Sequence, residues 1–229
     1  MKPYYQDDLV TIYNCDWREV LPIEADLVLA DAPYGIKISD LGVVGGKAEA
    51  RFQSTGTITG NLPGKRAYEP VANDHSPDEA KECIKALGPI PKQIWWGANH
   101  FGDVVSDSPC WLVWDKDNGD NDFADCELAW TNLDGAVRIF RHRWNGMLRA
   151  SEKTRWHPTQ KPVALMDWCI ARAKLKPNSL IFDPFMGSGP VAVAAKRAGH
   201  RYVGCELVEK YCEIAAKRCG QDYLFGEVG

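Results

Sequence analysis

The chain has 229 residues, of which 45% are hydrophobic and 25% are charged, and its formal net charge is −4. These values fit one globular α/β domain, and the apolar runs are too short to cross a bilayer. The amino terminus has no apolar signal segment, and the eight cysteines form neither a Cys-x-x-Cys pair nor a zinc-like cluster. We therefore expect one domain over 1–229, reduced thiols, a cytoplasmic location, no membrane contact and no metal.

Two short apolar segments, 9–13 and 26–30, predict buried strands near the amino terminus. The second runs directly into Asp31-Ala32-Pro33-Tyr34, where Pro33 disfavours helix at the preceding residue and Gly35 permits a sharp turn. We expect this tetrapeptide in a loop at the carboxyl end of a strand, which is where open α/β sheets bind ligands.

The middle of the chain predicts a long loop followed by a helix and several strands. Residues 36–76 are rich in glycine and lack periodicity, which predicts a mobile loop. A helix is predicted at 77–87, with Ser76 as its N-cap and Pro77 in its first turn. Apolar segments then predict strands at 93–99, 110–116, 126–132 and 136–144. The short link 133–135 predicts that the last two strands form a hairpin.

A cluster of positive charge lies between 138 and 157, with eight basic residues and one acidic residue. The negative net charge argues against a nucleic-acid partner, but it does not describe how the charge is distributed. A solvated face and a surface that contacts nucleic-acid phosphates are both consistent with the cluster. The second interpretation selects as candidates Arg138, Arg141, Arg143 and Arg149.

The carboxyl-terminal part predicts a βαβ unit between two further helices. Helices are predicted at 162–174, 190–197 and 208–218, and strands at 179–183 and 201–207. The backbone amides of the glycine loop 184–189 can bind anionic groups. Glu206 ends the following strand, a position from which acidic residues commonly bind ribose hydroxyls. The unit alone fits a structural turn, a NAD site or a site for another nucleoside-containing cofactor.

The tetrapeptide at Asp31 has the groups needed to methylate an exocyclic amine. Such an amine on adenine or cytosine is a poor nucleophile, because its lone pair is delocalised into the ring. A carboxylate and a carbonyl that accept its N–H groups would favour a tetrahedral nitrogen and stabilise the growing positive charge. Asp31 and the Ala32 carbonyl supply these acceptors, and Tyr34 supplies a face for stacking on the base. Taken alone, four such residues also fit a structural turn.

Three motifs in this order resemble those of the DNA amino-methyltransferases. The tetrapeptide resembles their Asp-Pro-Pro-Tyr motif, DPFMGSG at 183–189 is similar to their cofactor motif, and HPTQKP at 157–162 is similar to the segment before it. The catalytic motif comes first, which is the circularly permuted order of the β group, and WGANHF at 96–101 resembles small phage-type members. The resemblance implies an α/β, three-layer, Rossmann-like fold that uses S-adenosylmethionine.

The resemblance also implies a role for each motif residue. Asp31, Ala32, Pro33 and Tyr34 would hold and stack on the target base. Glu206 would bind the cofactor ribose, and Asp16 would face the cofactor adenine. The methionine end would lie against Asp183, Pro184, Phe185, Gly187, Ser188 and Gly189, and the opposite wall would be formed by Thr159, Lys161 and Pro162. The chain departs from the family pattern at Ala32, which replaces a proline, and at Pro190, which replaces a threonine.

The resemblance implies site-specific methyl transfer to the N6 amine of a flipped adenine in double-stranded DNA. Asp31 favours adenine, because relatives that act on cytosine-N4 more often have serine there. Cytosine-N4 or RNA methylation and a catalytically inactive DNA-binding module stay as alternatives, whereas a dehydrogenase would have no use for the Asp31 motif. We expect target recognition from a basic hairpin region at about 126–156 together with the loop 36–76. A homodimer would add recognition surface, and a restriction partner is compatible with this function.

Overall fold

The computed structural model describes residues 1–33, 35, 72, 75–118, 124–145, 148–149, 151–152, 156–157 and 159–221, with backbone only at 145, 148 and 149. The described residues form eleven strands and four α-helices. The expected loop 36–76 lies almost entirely outside the described residues, and so does Tyr34.

Nine of the strands form one mixed sheet, in the order β1-β2-β11-β10-β3-β4-β6-β5-β7. The central strands β2, β11, β10, β3 and β4 are parallel, and β6 is antiparallel to both of its neighbours. The strands of this sheet are β1 (Tyr5–Gln6), β2 (Val10–Tyr13), β3 (Leu27–Asp31), β4 (Lys92–Trp96), β5 (Leu112–Asp115), β6 (Cys126–Thr131), β7 (Arg138–Arg141), β10 (Leu180–Asp183) and β11 (Arg201–Cys205).

Helices cover both faces of the sheet and give three layers. The helices are α1 (Asp78–Leu87), α2 (Val163–Ala173), α3 (Pro190–Arg197) and α4 (Glu209–Gln221). Because successive strand side chains point to opposite faces, β3 contributes to two cores. Leu27 and Leu29 pack in the core that contains residues of α2, α3 and α4, whereas Val28 and Ala30 pack in the core that contains residues of α1. The expected three-layer α/β fold is confirmed.

The carboxyl-terminal βαβ unit forms as its sequence predicts. Strands β10 and β11 pair in parallel, and α3 begins at Pro190, directly after the glycine loop. Proline suits this position because its missing N–H would have no helical partner there. Helix α1 begins one residue later than predicted, with Pro77 at the N-cap, although the Ser76 hydroxyl accepts from the Asp78 N–H at 3.2 Å.

The predicted hairpin between 126–132 and 136–144 is wrong. Strand β6 lies between β4 and β5, and β7 pairs in parallel with the other side of β5. The burial explains this arrangement, because Ala129, Trp130 and Thr131 of β6 are buried as in an interior strand, whereas β7 is largely exposed at the sheet edge. A smaller hairpin occurs within the region, formed by β8 (Trp144–Asn145) and β9 (Leu148–Arg149).

The strand predicted at 93–99 also ends earlier than expected. Gly97 adopts a left-handed conformation with φ of 78°, and a 3₁₀ turn at Ala98–His100 follows. No helix among the described residues is long and apolar enough to cross a membrane. Nor do three or more His, Cys, Asp or Glu side chains come together as a metal site within the described part of the chain.

Candidate active site

Three neighbouring parallel strands bring the predicted motifs to one edge of the sheet. Asp31 ends β3, Asp183 ends β10, and Glu206 directly follows β11, so their side chains lie at the carboxyl edge. A cavity opens there, and the predicted site residues that line it are Asp16, Asp31, Ala32, Pro33, Thr159, Lys161, Asp183, Pro184, Phe185, Gly187, Ser188 and Glu206. Pro162 and Gly189 are not among the residues that line it.

The glycine loop between β10 and α3 is shaped by its backbone. The Met186 N–H donates to the Cys205 carbonyl at 2.9 Å, which fixes the loop against the end of β11. Gly189 has a φ of +75°, and a Cβ there would lie 2.7 Å from the Cβ of Ala215 in α4. Glycine at this position therefore lets the loop turn and pack against the helix at the same time.

Two largely buried carboxyl groups flank this loop. Asp183 accepts hydrogen bonds from the Phe185 N–H at 3.1 Å and the Tyr202 hydroxyl at 3.2 Å, and its burial raises the pKa to about 8. Glu206 accepts from the N–H groups of Gly187 at 2.9 Å and Val208 at 2.7 Å, and burial raises its pKa as well. Removal of these groups from water disfavours their charged forms.

The residues of this cavity fit S-adenosylmethionine. A buried carboxyl group whose pKa is raised gains stability from an approaching cation, so Asp183 suits an ammonium or sulfonium group. Glu206 holds the loop through the Gly187 N–H and can also accept from ribose hydroxyls. Phe185 is half-buried in the cavity wall and provides an apolar surface beside these acids.

Asp16 lines the cavity and also has a structural role. It is the N-cap of a 3₁₀ helix at Trp17–Val20, and its carboxylate accepts from the Arg18 N–H at 2.9 Å. The Arg18 guanidinium pairs with the same carboxylate at 2.9 Å. The expected contact with the cofactor adenine would therefore be made by a carboxylate that is already held in place.

The segment before α2 forms the opposite wall. The side chain of His157 accepts from the Thr159 N–H at 3.2 Å through Nδ1, and its ring packs edge-on against Tyr211 with centroids 4.4 Å apart. The Gln160 Oε1 accepts from the Ser188 hydroxyl at 3.2 Å, which joins this segment to the glycine loop. Pro162 lies at the N-cap of α2, just beyond the residues that line the cavity.

Asp31 is bound to a lysine that the sequence analysis placed in the cofactor wall. Lys161 Nζ contacts Asp31 Oδ1, and the same nitrogen lies 3.0 Å from Glu127 Oε2. Burial raises the pKa of Asp31, and the Lys161 charge opposes this rise. Burial would also raise the pKa of Glu127, but Lys161 and Lys116 together outweigh it and lower that pKa to about 2.

Glu127, which contacts Lys161 of the site, is a residue that the sequence analysis missed. It lies in β6, which is otherwise apolar toward its carboxyl end, and an acidic residue in an interior strand needs a charged partner. That signal was present in the sequence, but it did not identify the partner. Of the other parts of the Asp31 motif, Ala32 is buried, Pro33 lines the cavity and Tyr34 lies outside the described residues.

The basic candidates lie at the sheet edge formed by β7. Arg138 begins this strand and is exposed, whereas Arg141 ends it and Arg143 follows. The Arg141 Nε lies 3.3 Å from Asp115, and the Arg143 Nε donates to Asp117 at 3.0 Å, so both have acidic neighbours. Because β7 runs parallel to the central strands, its carboxyl end points the same way as the carboxyl end of β3. Arg141 and Arg143 therefore lie on the carboxyl side of the sheet, as Asp31 does. The side chain of Arg149 is outside the described residues.

Comparison with known proteins assigns the family. The family model described as DNA methylase, for the N6/N4 methyltransferases, matches residues 61–217. The chain belongs to this family. It is 41% identical over 262 aligned residues to the type II methyltransferase M2.LlaDCHI of Lactococcus lactis subsp. cremoris, covering 98% of this chain and 94% of that protein.

Other similarities are local or structural. M2.DpnII of Streptococcus pneumoniae is 42% identical over 78 residues, which cover 33% of this chain and 28% of that protein. Among solved structures, PvuII DNA methyltransferase (cytosine-N4-specific) matches with a TM-score of 0.60 at 15% identity, covering 100% of this chain and 91% of that one. The M1.HpyAVI–SAM complex matches with a TM-score of 0.55 at 19% identity, covering 92% of this chain and 98% of that one. These structures support the Rossmann-like methyltransferase fold.

Proposed function

We propose that this DNA methylase transfers the methyl group of S-adenosylmethionine to the N6 amine of a flipped adenine at a specific site in double-stranded DNA. One observation carries the proposal. The carboxylate of Asp31 lies at the end of a central strand, beside the buried Asp183 of the neighbouring strand, in a single cavity. An acceptor for the target amine and an acid suited to a cationic cofactor are thus side by side.

The chain's own residues act mainly by positioning and electrostatics. The Asp31 carboxylate and the Ala32 carbonyl accept the two N–H groups of the target amine, which directs its lone pair toward the methyl group. Ala32 is only 1% exposed, so its backbone is held by packing although it lacks the restraint of a proline. Tyr34 stacks on the extruded base.

The bound cofactor supplies an electrophilic methyl group, and the walls of the cavity hold it for attack. Asp183 would accept from its ammonium group, Glu206 would accept from its ribose hydroxyls, and Asp16 would face its adenine. Methyl transfer would leave the target nitrogen positively charged until its surplus proton passes to water. Asp31 stabilises the positive charge on nitrogen before that proton leaves.

The proposed DNA surface is the β7 edge together with the β8–β9 hairpin and the segment 36–76. Arg141 and Arg143 lie at the same sheet edge as the cavity, and a positively charged surface there would contact phosphates. A homodimer would extend this surface. We place the protein in the cytoplasm, where DNA and the cofactor are both available, with a restriction enzyme as a fitting partner.

Nucleoside analysis tests this function directly. The protein is incubated with duplex DNA and with S-adenosylmethionine labelled in the methyl group, and the DNA is then digested to nucleosides. The proposal predicts labelled N6-methyl-2′-deoxyadenosine from the duplex. Label in N4-methyl-2′-deoxycytidine would assign the alternative base, and label found only in a parallel incubation with RNA would assign the alternative substrate. Binding of DNA without any transfer would indicate an inactive binding module.

A further inference from the structure

Four alternating charges form a continuous line from the end of β3 to the end of β5. Lys161 Nζ contacts Asp31 Oδ1 and lies 3.0 Å from Glu127 Oε2, and the other oxygen of Glu127 lies 2.6 Å from Lys116 Nζ. We propose that Glu127 is a positioning residue for methyl transfer, which holds the Lys161 ammonium and offsets its charge so that Asp31 can accept the target amine. This inference rests on the proposed function, because it requires Asp31 to bind that amine.

Burial makes a second carboxylate necessary for Lys161. Its side chain is only 3% exposed, and a buried ammonium is stable when it is paired and hydrogen-bonded. If Asp31 were its one anionic partner, any hydrogen bond that Asp31 made to substrate would weaken that pairing. Glu127 supplies a partner that does not take part in the reaction, and the Trp96 ring lies 5.9 Å from the same nitrogen.

The charge on Lys161 would otherwise oppose the reaction. The target nitrogen becomes positive as the methyl group arrives, and an uncompensated ammonium near Asp31 would raise the energy of that state. Glu127 compensates the charge of that ammonium from 3.0 Å. Lys116 in turn compensates Glu127, so that the four side chains carry no net charge.

The fold fixes Glu127 more firmly than a loop would. Glu127 lies in β6, where it faces Trp114 of β5 in the strand register, and β4 pairs with the same strand from Ala129 onward. Lys116 follows β5 and its N–H donates to the Asp125 carbonyl at 3.0 Å, so the next charge in the line is also anchored. Side chains on paired strands hold their positions better than side chains on loops.

The pH dependence of methyl transfer separates this role from a merely structural one. The charged groups that act on Asp31 are Lys161, Glu127 and Lys116, and Asp183 lies on the adjacent strand. Burial raises the pKa of Asp31, Lys161 and Lys116 lower it, and Glu127 raises it. The acidic limb of the rate profile should follow this pKa, because Asp31 accepts the amine only when it is ionised.

The experiment measures single-turnover methyl transfer against pH, with saturating cofactor and duplex DNA. Glu127→Gln should lower the plateau rate about tenfold, as expected for a residue that orients a group contacting substrate, and shift the acidic limb to lower pH. Lys161→Met should shift the acidic limb to higher pH. Glu127→Asp keeps the charge and should leave the limb near its original position.

A matched control and a second variant keep the test decisive. Asp7 forms another partly buried ion pair, with Lys196, and it follows β1, the outermost strand on the other side of the sheet. Asp7→Asn removes this carboxylate and should leave the acidic limb of the rate profile unchanged. If Glu127→Gln does not fold, Lys116→Met at the other end of the line should shift the limb to higher pH.

The outcomes distinguish the inference from the proposed function. Opposite shifts for Glu127→Gln and Lys161→Met support the positioning role. A wild-type rate and limb in Glu127→Gln, or a shift in the same direction as Lys161→Met, overturns it. Continued transfer by Asp31→Ala would refute the proposed function itself, whereas an inactive Asp31→Ala with a wild-type Glu127→Gln would refute this inference alone.

Discussion

Asp183 is a carboxyl group at the end of a central strand with only 2% of its surface exposed. Its pKa of about 8, raised by burial, means that it holds a proton near neutral pH before any cation is bound. Such an acid is costly for the fold but useful to the site, since a cationic ligand recovers the energy of ionising it. At the scale of single residues, Asp183 therefore lowers the stability of the fold while it favours binding of the cofactor.

This opposition predicts an effect of Asp183→Asn on stability. Between pH 3.8, the usual pKa of aspartate, and about pH 8, the folded state keeps the Asp183 proton whereas the unfolded state releases it. The free energy of unfolding therefore falls as pH rises through this range. Asparagine does not ionise and escapes this loss. In urea titrations without cofactor, the variant should therefore gain more than about 1 kcal/mol relative to wild type between about pH 5 and pH 8.

The exposed turn residue Asp134 provides the control for this comparison. Asp134→Asn should leave the pH dependence of the free energy of unfolding as in wild type. An Asp183→Asn protein whose stability followed the wild-type pH dependence would contradict the assignment of a raised pKa to this residue.

At the scale of elements, the glycine loop shows how local sequence determines a site. Gly189 and Gly199 both have positive φ, of +75° and +70°. A Cβ at Gly189 would contact Ala215 at 2.7 Å, whereas a Cβ at Gly199 would have nothing within 4 Å. The two glycines thus carry the same backbone constraint, and only the first is also limited by packing against α4.

Alanine substitution at these two positions separates packing from backbone strain. Gly199→Ala should cost about 1 kcal/mol of unfolding free energy through its left-handed conformation alone. Gly189→Ala should cost about 1–3 kcal/mol more, because the loop or α4 must also move, and its cofactor affinity should fall. Denaturant titration and calorimetry measure the two quantities. Equal losses of stability in the two variants would show that the packing against Ala215 is unimportant.

The same scale shows which features could be predicted from sequence. The βαβ unit was predictable because its signals are local: an apolar strand, a glycine loop and Pro190 at a helix start. The prediction of a β6–β7 hairpin was wrong because a short link does not determine which strands pair. Burial placed β6 between β4 and β5 instead. The contact of Lys161 with Asp31 joins residues 130 positions apart, and no local pattern encodes it.

At the scale of the whole molecule, the direction of each strand determines whether its terminal arginines lie on the same side of the sheet as the cavity. Arg141 ends β7 and Arg143 follows it, so both lie at the carboxyl edge of the sheet, which carries Asp31. Arg201 begins β11 and therefore lies at the amino edge. The acidic neighbours of the first two arginines, Asp115 and Asp117, balance part of their charge within the chain.

This distribution predicts which charges contribute to DNA binding. Reversal of both charges in Arg141→Glu/Arg143→Glu should weaken duplex binding and reduce the slope of log affinity against log salt by about 0.9 for each phosphate that the protein no longer neutralises. Fluorescence anisotropy across a salt series measures both quantities. Arg201→Glu should leave the slope unchanged, and an unchanged slope in the double variant would exclude this edge as the phosphate-binding surface.

The central claim is that Asp31 accepts the target amine in a cofactor-dependent methyl transfer to DNA. The most direct test is single-turnover transfer by Asp31→Ala, with cofactor affinity measured by calorimetry on the same protein. We predict that the rate falls by about a hundredfold or more, as for the loss of a group that stabilises transition-state charge, while cofactor affinity stays close to wild type. Transfer at the wild-type rate, with the cofactor still bound, would contradict the claim.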